Sequence, residues 1–373
     1  MRILLTSPHR VWPADSGPAV RTLGIARTLA EMGHEVTVLG SGDAWPREPA
    51  RPVRCRWYTA RGRLGHFTNR DFRRAYRREL DERPDLVISS YPYQSLMLVG
   101  PAGRAGIPIV YDAQNVEAHR FRDLGHPLRA QVVRRAEALL CSRARAILAV
   151  TVEDQARLER YYGRPSTLLP NGVDVTRFHP APPDPGLVER YGLQGRRVAL
   201  YFGSLDYGPN RDALGFLIRE AWPIVRGRVP TASLLVVGRH PPAWASGLPG
   251  VVVTGPAEDI LSHIRLAHVV AVPLSTGGGM RLKVIEALAC GQTVLSTPFG
   301  ATGVPADGDG LRLADLDAFA PRLAELLEDS PPPGANAAAR RLAMCFDWRR
   351  LVAKVDWEGL AAGRPVDRSV SPA

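Results

Sequence analysis

The residues best suited to chemistry in this 373-residue chain lie together in one segment, Ser275-Thr276-Gly277-Gly278-Gly279-Met280-Arg281-Leu282-Lys283-Val284-Ile285-Glu286. Three successive glycines carry no Cβ, so an anionic ligand can come within hydrogen-bond reach of the main chain. The apolar spacing that follows predicts a helix stopping at Gly291, and the first N–H groups of a helix have no partner inside it. Lys283 and Arg281 place cations beside those amides. Glu286, three residues beyond Lys283, falls on nearly the same helix face one turn deeper. A carboxylate there is placed to accept both hydroxyls of a ribose while Lys283 meets the phosphates. A glycine-rich turn before an ordinary helix, with Lys283 and Glu286 solvated, is the plainer reading. Against it stands the order of strand, turn, base and acid at the C-terminal edge of a parallel sheet, where such folds bind ligands. All but two of the 48 basic residues are arginine, and Lys283 is one of the two lysines.

Short apolar runs alternate with amphipathic stretches along the whole chain, the pattern of parallel sheets covered by helices. Arg2–Thr6 reads as a first strand. Val20, Leu23, Ala26 and Leu29 then recur at helical spacing from Pro18 to Met32, and Gly33 ends that helix. Glu35–Leu39 completes a βαβ unit, with further strands expected at 86–89, 108–112, 146–150 and 166–169. A second series opens near Arg197, with strands at 198–203, 233–237, 251–254 and 268–273 and a helix over 212–225. Between them Pro180, Pro182, Pro183 and Pro185 suit a linker, which sets the boundary near 175–185. The fold class is α/β, with two Rossmann-like, doubly wound domains.

Hydrophobic content of 45% and charged content of 23% are those of a globular protein. A net charge of +11 favours phosphate-bearing partners. Cys55, Cys141, Cys290 and Cys345 are far apart and form no C-x-x-C pair, which argues against a disulfide framework or structural zinc. No metal and no cofactor are expected. The N-terminus turns polar at Thr6-Ser7, too soon for a signal-peptide core, and no apolar run nears the ~20 residues that span a bilayer. The expected location is cytoplasmic, with peripheral attachment to the inner membrane face left open. The stretch from Arg70 to Arg78 reads as a basic helix carrying Phe72 and Tyr76. It lies on anionic lipid, binds an acidic acceptor, or stands in water with its aromatics turned to the core. No groove-reading motif is present, so nucleic acid is not an expected partner.

The segment Gly277-Gly278-Gly279-Met280-Arg281-Leu282-Lys283-Val284-Ile285-Glu286-Ala287 resembles the donor-site signature of retaining GT-B glycosyltransferases of family four. Tyr201-Phe202-Gly203-Ser204-Leu205-Asp206-Tyr207, Val237-Gly238-Arg239, Pro170-Asn171-Gly172-Val173-Asp174 and Tyr111-Asp112-Ala113-Gln114-Asn115-Val116-Glu117 agree with it. The resemblance runs from residue 1 to a late helix starting at Phe346-Asp347-Trp348. It implies two domains facing a central cleft: an N-terminal acceptor-side domain over 1–177 and a nucleotide-sugar-binding domain over 178–346. A helix over 347–363 then crosses back to the first domain, and 364–373 is a tail. It implies donor binding by Ser16, Gly17, Gly203, Ser204, Asn210, Gly238, Arg239, Gly277, Gly278, Gly279, Met280, Lys283 and Glu286, and acceptor binding by Asn115, Glu117 and His119. Lys283, Arg281 and Glu286 carry the catalytic roles.

There are departures from the family pattern. Of two glutamates usually eight positions apart, only Glu286 is present, with Gly278 at the first position. Ser204, Asp206 and Asn210 stand where an Arg and a Lys commonly grip the diphosphate. Ser16-Gly17 replaces a Gly-Gly loop, and Gln114 a frequent histidine. Arg21, in the first turn of the first helix, is either an aid to the donor phosphate or solvated.

The expected reaction moves a sugar from a nucleotide-sugar donor, UDP-linked before GDP-linked, to a hydroxyl of an unidentified acceptor such as a cell-envelope glycan or a small natural product. The resemblance implies retention of configuration and metal-independent chemistry. Cations and helix N-termini stabilise the departing diphosphate, and closure about the linker expels water. A nucleotide-sugar epimerase and a non-catalytic nucleotide-sugar binder are the alternatives. A nicotinamide oxidoreductase fits less well, because Ser7-Pro8-His9-Arg10 stands where its glycine turn belongs.

Overall fold

Runs of Val, Ile and Leu such as those expected as strands at 2–6, 35–39, 86–89 and 108–112 must be covered on both faces, which is the condition of a buried parallel sheet. The computed structural model describes residues 1–14, 16–42, 53–60, 67–306 and 308–364. It divides the chain into two compact units, Met1–Gly172 with the segment from Trp348 onward, and Val173–Asp347.

In the first unit β1 (Arg2–Thr6), β2 (Glu35–Ser41), β3 (Arg54–Tyr58), β4 (Leu86–Ser90), β5 (Ile109–Ala113), β6 (Ala146–Ala149) and β7 (Thr167–Leu168) form a parallel sheet in the order β3-β2-β1-β4-β5-β6-β7. Alternate residues of each strand serve opposite cores, as the two-residue period of a strand requires. Ile3, Leu5, Val36 and Ile88 pack with Leu23, Leu29, Trp348 and Trp357 on one face. Leu4, Val87, Tyr111 and Ile147 pack with Phe72, Tyr76, Leu98 and Leu140 on the other. Helix Arg70–Asp81 buries Phe72, Tyr76 and Leu80 at a four-residue spacing, and Asn69 caps it by accepting from the Phe72 N–H at 2.9 Å.

The returning segment is held by a wedge. The indole of Trp348 lies so close to Gly24 and Gly172 that a Cβ at either position would stand 2.4 and 2.5 Å from its ring carbons. Only glycine fits there. The segment forms two short helices, Trp348–Val352 and Trp357–Ala361, where a single helix over 347–363 is expected. Asp356 interrupts it, its carboxylate accepting from the Gly359 N–H at 2.8 Å to start a second helix. The tail beyond Arg364 lies outside the described residues.

The second unit repeats the strand order. Here β8 (Arg197–Phe202), β9 (Ala232–Val237), β10 (Val251–Gly255), β11 (Val269–Val272), β12 (Thr293–Ser296) and β13 (Leu311–Leu313) run β10-β9-β8-β11-β12-β13, all parallel. Strands β3, β12 and β13 are not apparent in the sequence. The first is an edge strand with exposed arginines, and the other two are too short to show a period. The helix expected over 212–225 is instead Gly208–Phe216, a π turn at Leu217–Ala221 and Trp222–Arg228. Pro223 has no N–H to donate to the preceding turn, and the extra residue of the π turn accommodates that loss.

The proline-rich stretch is not the unit boundary, which falls at 172/173. Arg340 donates to the carbonyls of Val175 (2.9 Å), Phe178 (2.7 Å) and Ala289 (2.7 Å), tying that stretch to the second unit.

A buried ion pair joins helix Gly17–Glu31 to β5. The Arg21 guanidinium donates to Asp112 at 2.6 and 2.9 Å, and also to the Pro170 carbonyl and the Asn171 side chain, both at 3.1 Å. Both partners are 1% exposed, so Arg21 is neither solvated nor turned to a ligand. Removing one partner leaves an uncompensated buried charge. Asp112→Ala is therefore expected to cost about 3–5 kcal/mol in chemical denaturation; a loss below about 1 kcal/mol would show that the pair does not hold the unit together.

Candidate functional site

Strands β8 and β11 are neighbours, and the loops leaving their C-terminal ends meet where the strand order reverses. The first loop, Gly203–Tyr207, is pressed against the end of β9. Gly203 N–H bonds the Val237 carbonyl at 3.0 Å, and Leu205 N–H bonds the Arg239 carbonyl at 3.0 Å. A Cβ on Gly238 would lie 1.9 Å from the Gly203 oxygen, so this contact admits no side chain. Gly203 itself has φ +150, and a Cβ there would stand 3.0 Å from Asn210 Nδ2 and 3.1 Å from Lys283 Nζ. The two loops thus bring Gly203, Asn210 and Lys283 together.

The second loop carries the glycine triplet, with Gly277 at φ +123 and Gly279 at φ +68, both conformations that disfavour side chains. Helix Leu282–Ala289 follows, with Arg281 at its N-cap and Lys283 its second residue. Lys283 Nζ donates to Asn210 Oδ1 at 3.1 Å, and Asn210 Nδ2 donates to the Ser204 carbonyl at 2.9 Å. The ammonium lies 4.9 Å from the centre of the Tyr201 ring and 5.9 Å from that of Phe202. Burial, and then the nearby Arg281 charge, lower its pKa to about 7. Burial raises the Glu286 carboxyl to about 7, against the pull of Arg177 and Lys283. Burial thus disfavours the charged form of both Lys283 and Glu286.

Three side chains do something other than expected. Arg281 turns back onto its own loop, donating to the carbonyls of Gly278 and Gly279 and lying 5.1 Å over the Phe299 ring. It shapes the glycine turn. Met280 is 5% exposed, so its side chain belongs to the core. The Ser204 hydroxyl bonds Asp206 at 2.6 Å, which with the other local bonds holds that exposed carboxyl below its usual range. Arg239 is exposed at the end of β9, next to Gly238.

In the first unit Ser16 and Gly17 open helix Gly17–Glu31, and the Ser16 hydroxyl makes no cap bond. The residues expected to meet the acceptor follow β5. Asn115 Nδ2 donates to Glu117 Oε1 at 3.1 Å. Glu117 is fully buried, its carboxylate engaged by Arg120 at 2.8 Å and by the Tyr93 hydroxyl, so it cannot meet a substrate as expected. Its place at the surface passes to Arg120, 29% exposed. His119 Nδ1 is 2.6 Å from Asp123 Oδ2 and its ring meets Tyr161 edge-on.

Two features escape the sequence reading. His9, Tyr91, Tyr93, Phe67 and Phe121 gather into an aromatic cluster beside Glu117, with Tyr91 at φ +70. Glu137 is buried on helix Pro127–Arg143 and accepts four hydrogen bonds. Its signal was present: an acid on the stripe formed by Ala130, Val133, Ala136, Leu140 and Cys141.

Known proteins share this layout. Residues 16–177 match the model of Glycosyltransferase Family 4, and 196–329 that of Glycosyl transferases group 1. A GDP-mannose-dependent alpha-(1-6)-phosphatidylinositol monomannoside mannosyltransferase of Mycolicibacterium smegmatis is 31% identical over 283 residues, 68% of this chain and 70% of the relative. A phosphatidyl-myo-inositol mannosyltransferase of the same species is 26% identical over 95% of this chain and 92% of its own length. Among solved structures, sucrose-phosphate synthase from Thermosynechococcus elongatus superposes with a TM-score of 0.72 at 18% identity, covering 95% of this chain and 96% of that one. Two parallel-sheet units of this strand order, with both halves matched, place the chain among the family 4 glycosyltransferases of GT-B fold, and it is an enzyme that transfers sugars.

Proposed function

We propose that this enzyme transfers a mannosyl group from GDP-mannose, with retention of configuration and without a metal, to a hydroxyl of a phosphatidylinositol-type lipid. The observation that carries the donor half is the Lys283 ammonium, poised between Asn210 and two aromatic rings at the mouth of the glycine loop. A diphosphate set on the amides of Gly277–Gly279 adds negative charge beside Lys283, whose ammonium otherwise feels the opposing pulls of Arg281 and Glu286, and Glu286 accepts the ribose hydroxyls. As the glycosidic bond breaks, negative charge grows on the departing phosphate, and fixed cationic and N–H donors favour that state over the ground state. The phosphate oxygen takes the acceptor proton on the same face of the sugar.

GDP-mannose is preferred to the UDP-sugar expected at first because the 31%-identical relative bears that donor in its name, and the lipid acceptor rests on the names of both mycobacterial relatives. A lipid acceptor calls for contact with a membrane. No helix among the described residues is long and apolar enough to cross one. Helix Arg70–Asp81 offers peripheral contact instead: Arg70, Arg73, Arg74, Arg77 and Arg78 are exposed while Phe72, Tyr76 and Leu80 face the core.

Lys283→Ala is expected to lower kcat/KM about 100–1000-fold in transfer from GDP-mannose to phosphatidylinositol. Activity within about threefold of the wild type would remove Lys283 from the mechanism.

The paired values near 7 give a pH test with GDP-mannose, which has no phosphate group titrating in this range. Below pH 7 Glu286 is protonated and accepts the ribose less well. Above it Lys283 loses its charge and the diphosphate its partner. Affinity measured calorimetrically should peak near neutrality. Glu286→Gln should flatten the acid limb and Lys283→Met the alkaline limb; a profile unchanged in both variants contradicts the assignment.

Arg73→Glu/Arg77→Glu should cut co-sedimentation with phosphatidylglycerol vesicles at least tenfold, since each such arginine contributes about 1 kcal/mol near an anionic surface. Equal binding by wild type and variant would exclude this helix from membrane contact.

A further inference from the structure

We propose that Glu137 is a positioning residue for the acceptor side of the site: by gripping the main chain at the start of helix Glu117–Asp123 it sets the aim of Asn115 and Arg120. This rests on the acceptor-side reading given above.

The geometry is specific. Each carboxylate oxygen of Glu137 takes one main-chain and one phenolic hydrogen bond. Oε1 accepts from the Glu117 N–H at 3.1 Å and the Tyr111 hydroxyl at 2.7 Å. Oε2 accepts from the Ala118 N–H at 3.2 Å and the Tyr162 hydroxyl at 2.6 Å. All four donors come from outside its own helix: Tyr111 from β5, Tyr162 from helix Val152–Tyr162, and Glu117 and Ala118 from the seven-residue helix that β5 feeds. That short helix contributes one buried residue of its own, Glu117. Its apolar packing rests on Phe121, partly buried against Tyr93 and Val133.

From this anchor the constraint passes outward. Glu117, its N–H held by Glu137, holds Arg120 through both carboxylate oxygens, at 3.1 and 2.8 Å, and receives the Asn115 amide. Arg120, over the Phe121 ring at 4.8 Å, and Asn115 are the partly exposed ends of this chain of bonds at the C-terminal edge of the sheet. A rotation of the short helix would move both together. A buried carboxylate with every site filled by donors from three other elements is an expensive device for joining helices, which apolar residues would do as well. It is suited to fixing one orientation of a short element.

Glu137→Gln is the informative variant. Its amide group must face one of the two main-chain N–H donors, so one anchor is lost with almost no change in volume. Tyr162→Phe removes a phenol and leaves both anchors. With GDP-mannose and phosphatidylinositol in detergent micelles, Glu137→Gln should raise the KM for phosphatidylinositol about tenfold, as the loss of a hydrogen bond to a charged group allows. The KM for GDP-mannose should stay within twofold, and Tyr162→Phe should change the lipid KM less than threefold. Amide exchange should quicken about tenfold over residues 115–120 in Glu137→Gln and not over the helix that carries Lys283. A Glu137→Gln variant whose two KM values rise together, whose lipid KM is unchanged, or whose exchange at 115–120 matches the wild type overturns the proposal. If the wild type shows no transfer to phosphatidylinositol, the functional reading fails, and exchange at 115–120 alone decides the anchor.

Discussion

An ammonium group kept partly out of water is the constraint on which the proposed donor site turns. Among the described residues Lys283 donates to Asn210 and faces two aromatic rings, and the carboxylate that acts on its charge is Glu286. Its charge is thus held at a cost that a diphosphate would relieve, and the difference between those two states is available for binding. A lysine in free solvent at the same point would already be satisfied by water and would gain little from a ligand.

The backbone geometry around it follows from that demand. For Lys283 to sit against the end of β8, the Gly203 loop must pass without a side chain, and for that loop to pass, Gly238 must lie within contact of its carbonyl. Arg281 completes the arrangement by bonding the glycine-turn carbonyls, so two adjacent cations divide the work. One shapes the loop. The other donates to Asn210, beside the loop that leaves β8.

The first unit solves a related problem with buried carboxylates. Asp112 near the end of β5 holds Arg21, and Glu117 beyond it holds Arg120, while Glu137 holds the main chain at the start of the helix that follows β5. Three acids and two guanidiniums are buried or partly buried within a short stretch of sheet edge. Such groups stabilise little in net terms, because desolvation consumes most of the attraction. What they provide is direction: each admits one geometry, where an apolar contact tolerates several.

Residue order alone determined the two βα series, the position of the glycine turn, and the pairing of Lys283 with Glu286 on one helix face, because these depend on local period and on what a missing Cβ permits. It also offered, as one of its readings, Phe72 and Tyr76 as the inward face of a basic helix, and the fold buries both. Sequence did not disclose that Arg281 folds back on its loop, that Glu117 is sealed away, or that Arg21 belongs to an ion pair with a residue 91 positions later. Nor did it show β12 and β13, too short for their pattern to register, or the place of the proline stretch, which Arg340 fixes from 165 residues away. Those outcomes rest on which polar groups find partners once the chain is packed. Hydrogen-bond partners distant in sequence leave no periodic trace in it, so only the tertiary structure decided which of the candidate side chains remain free to meet a substrate.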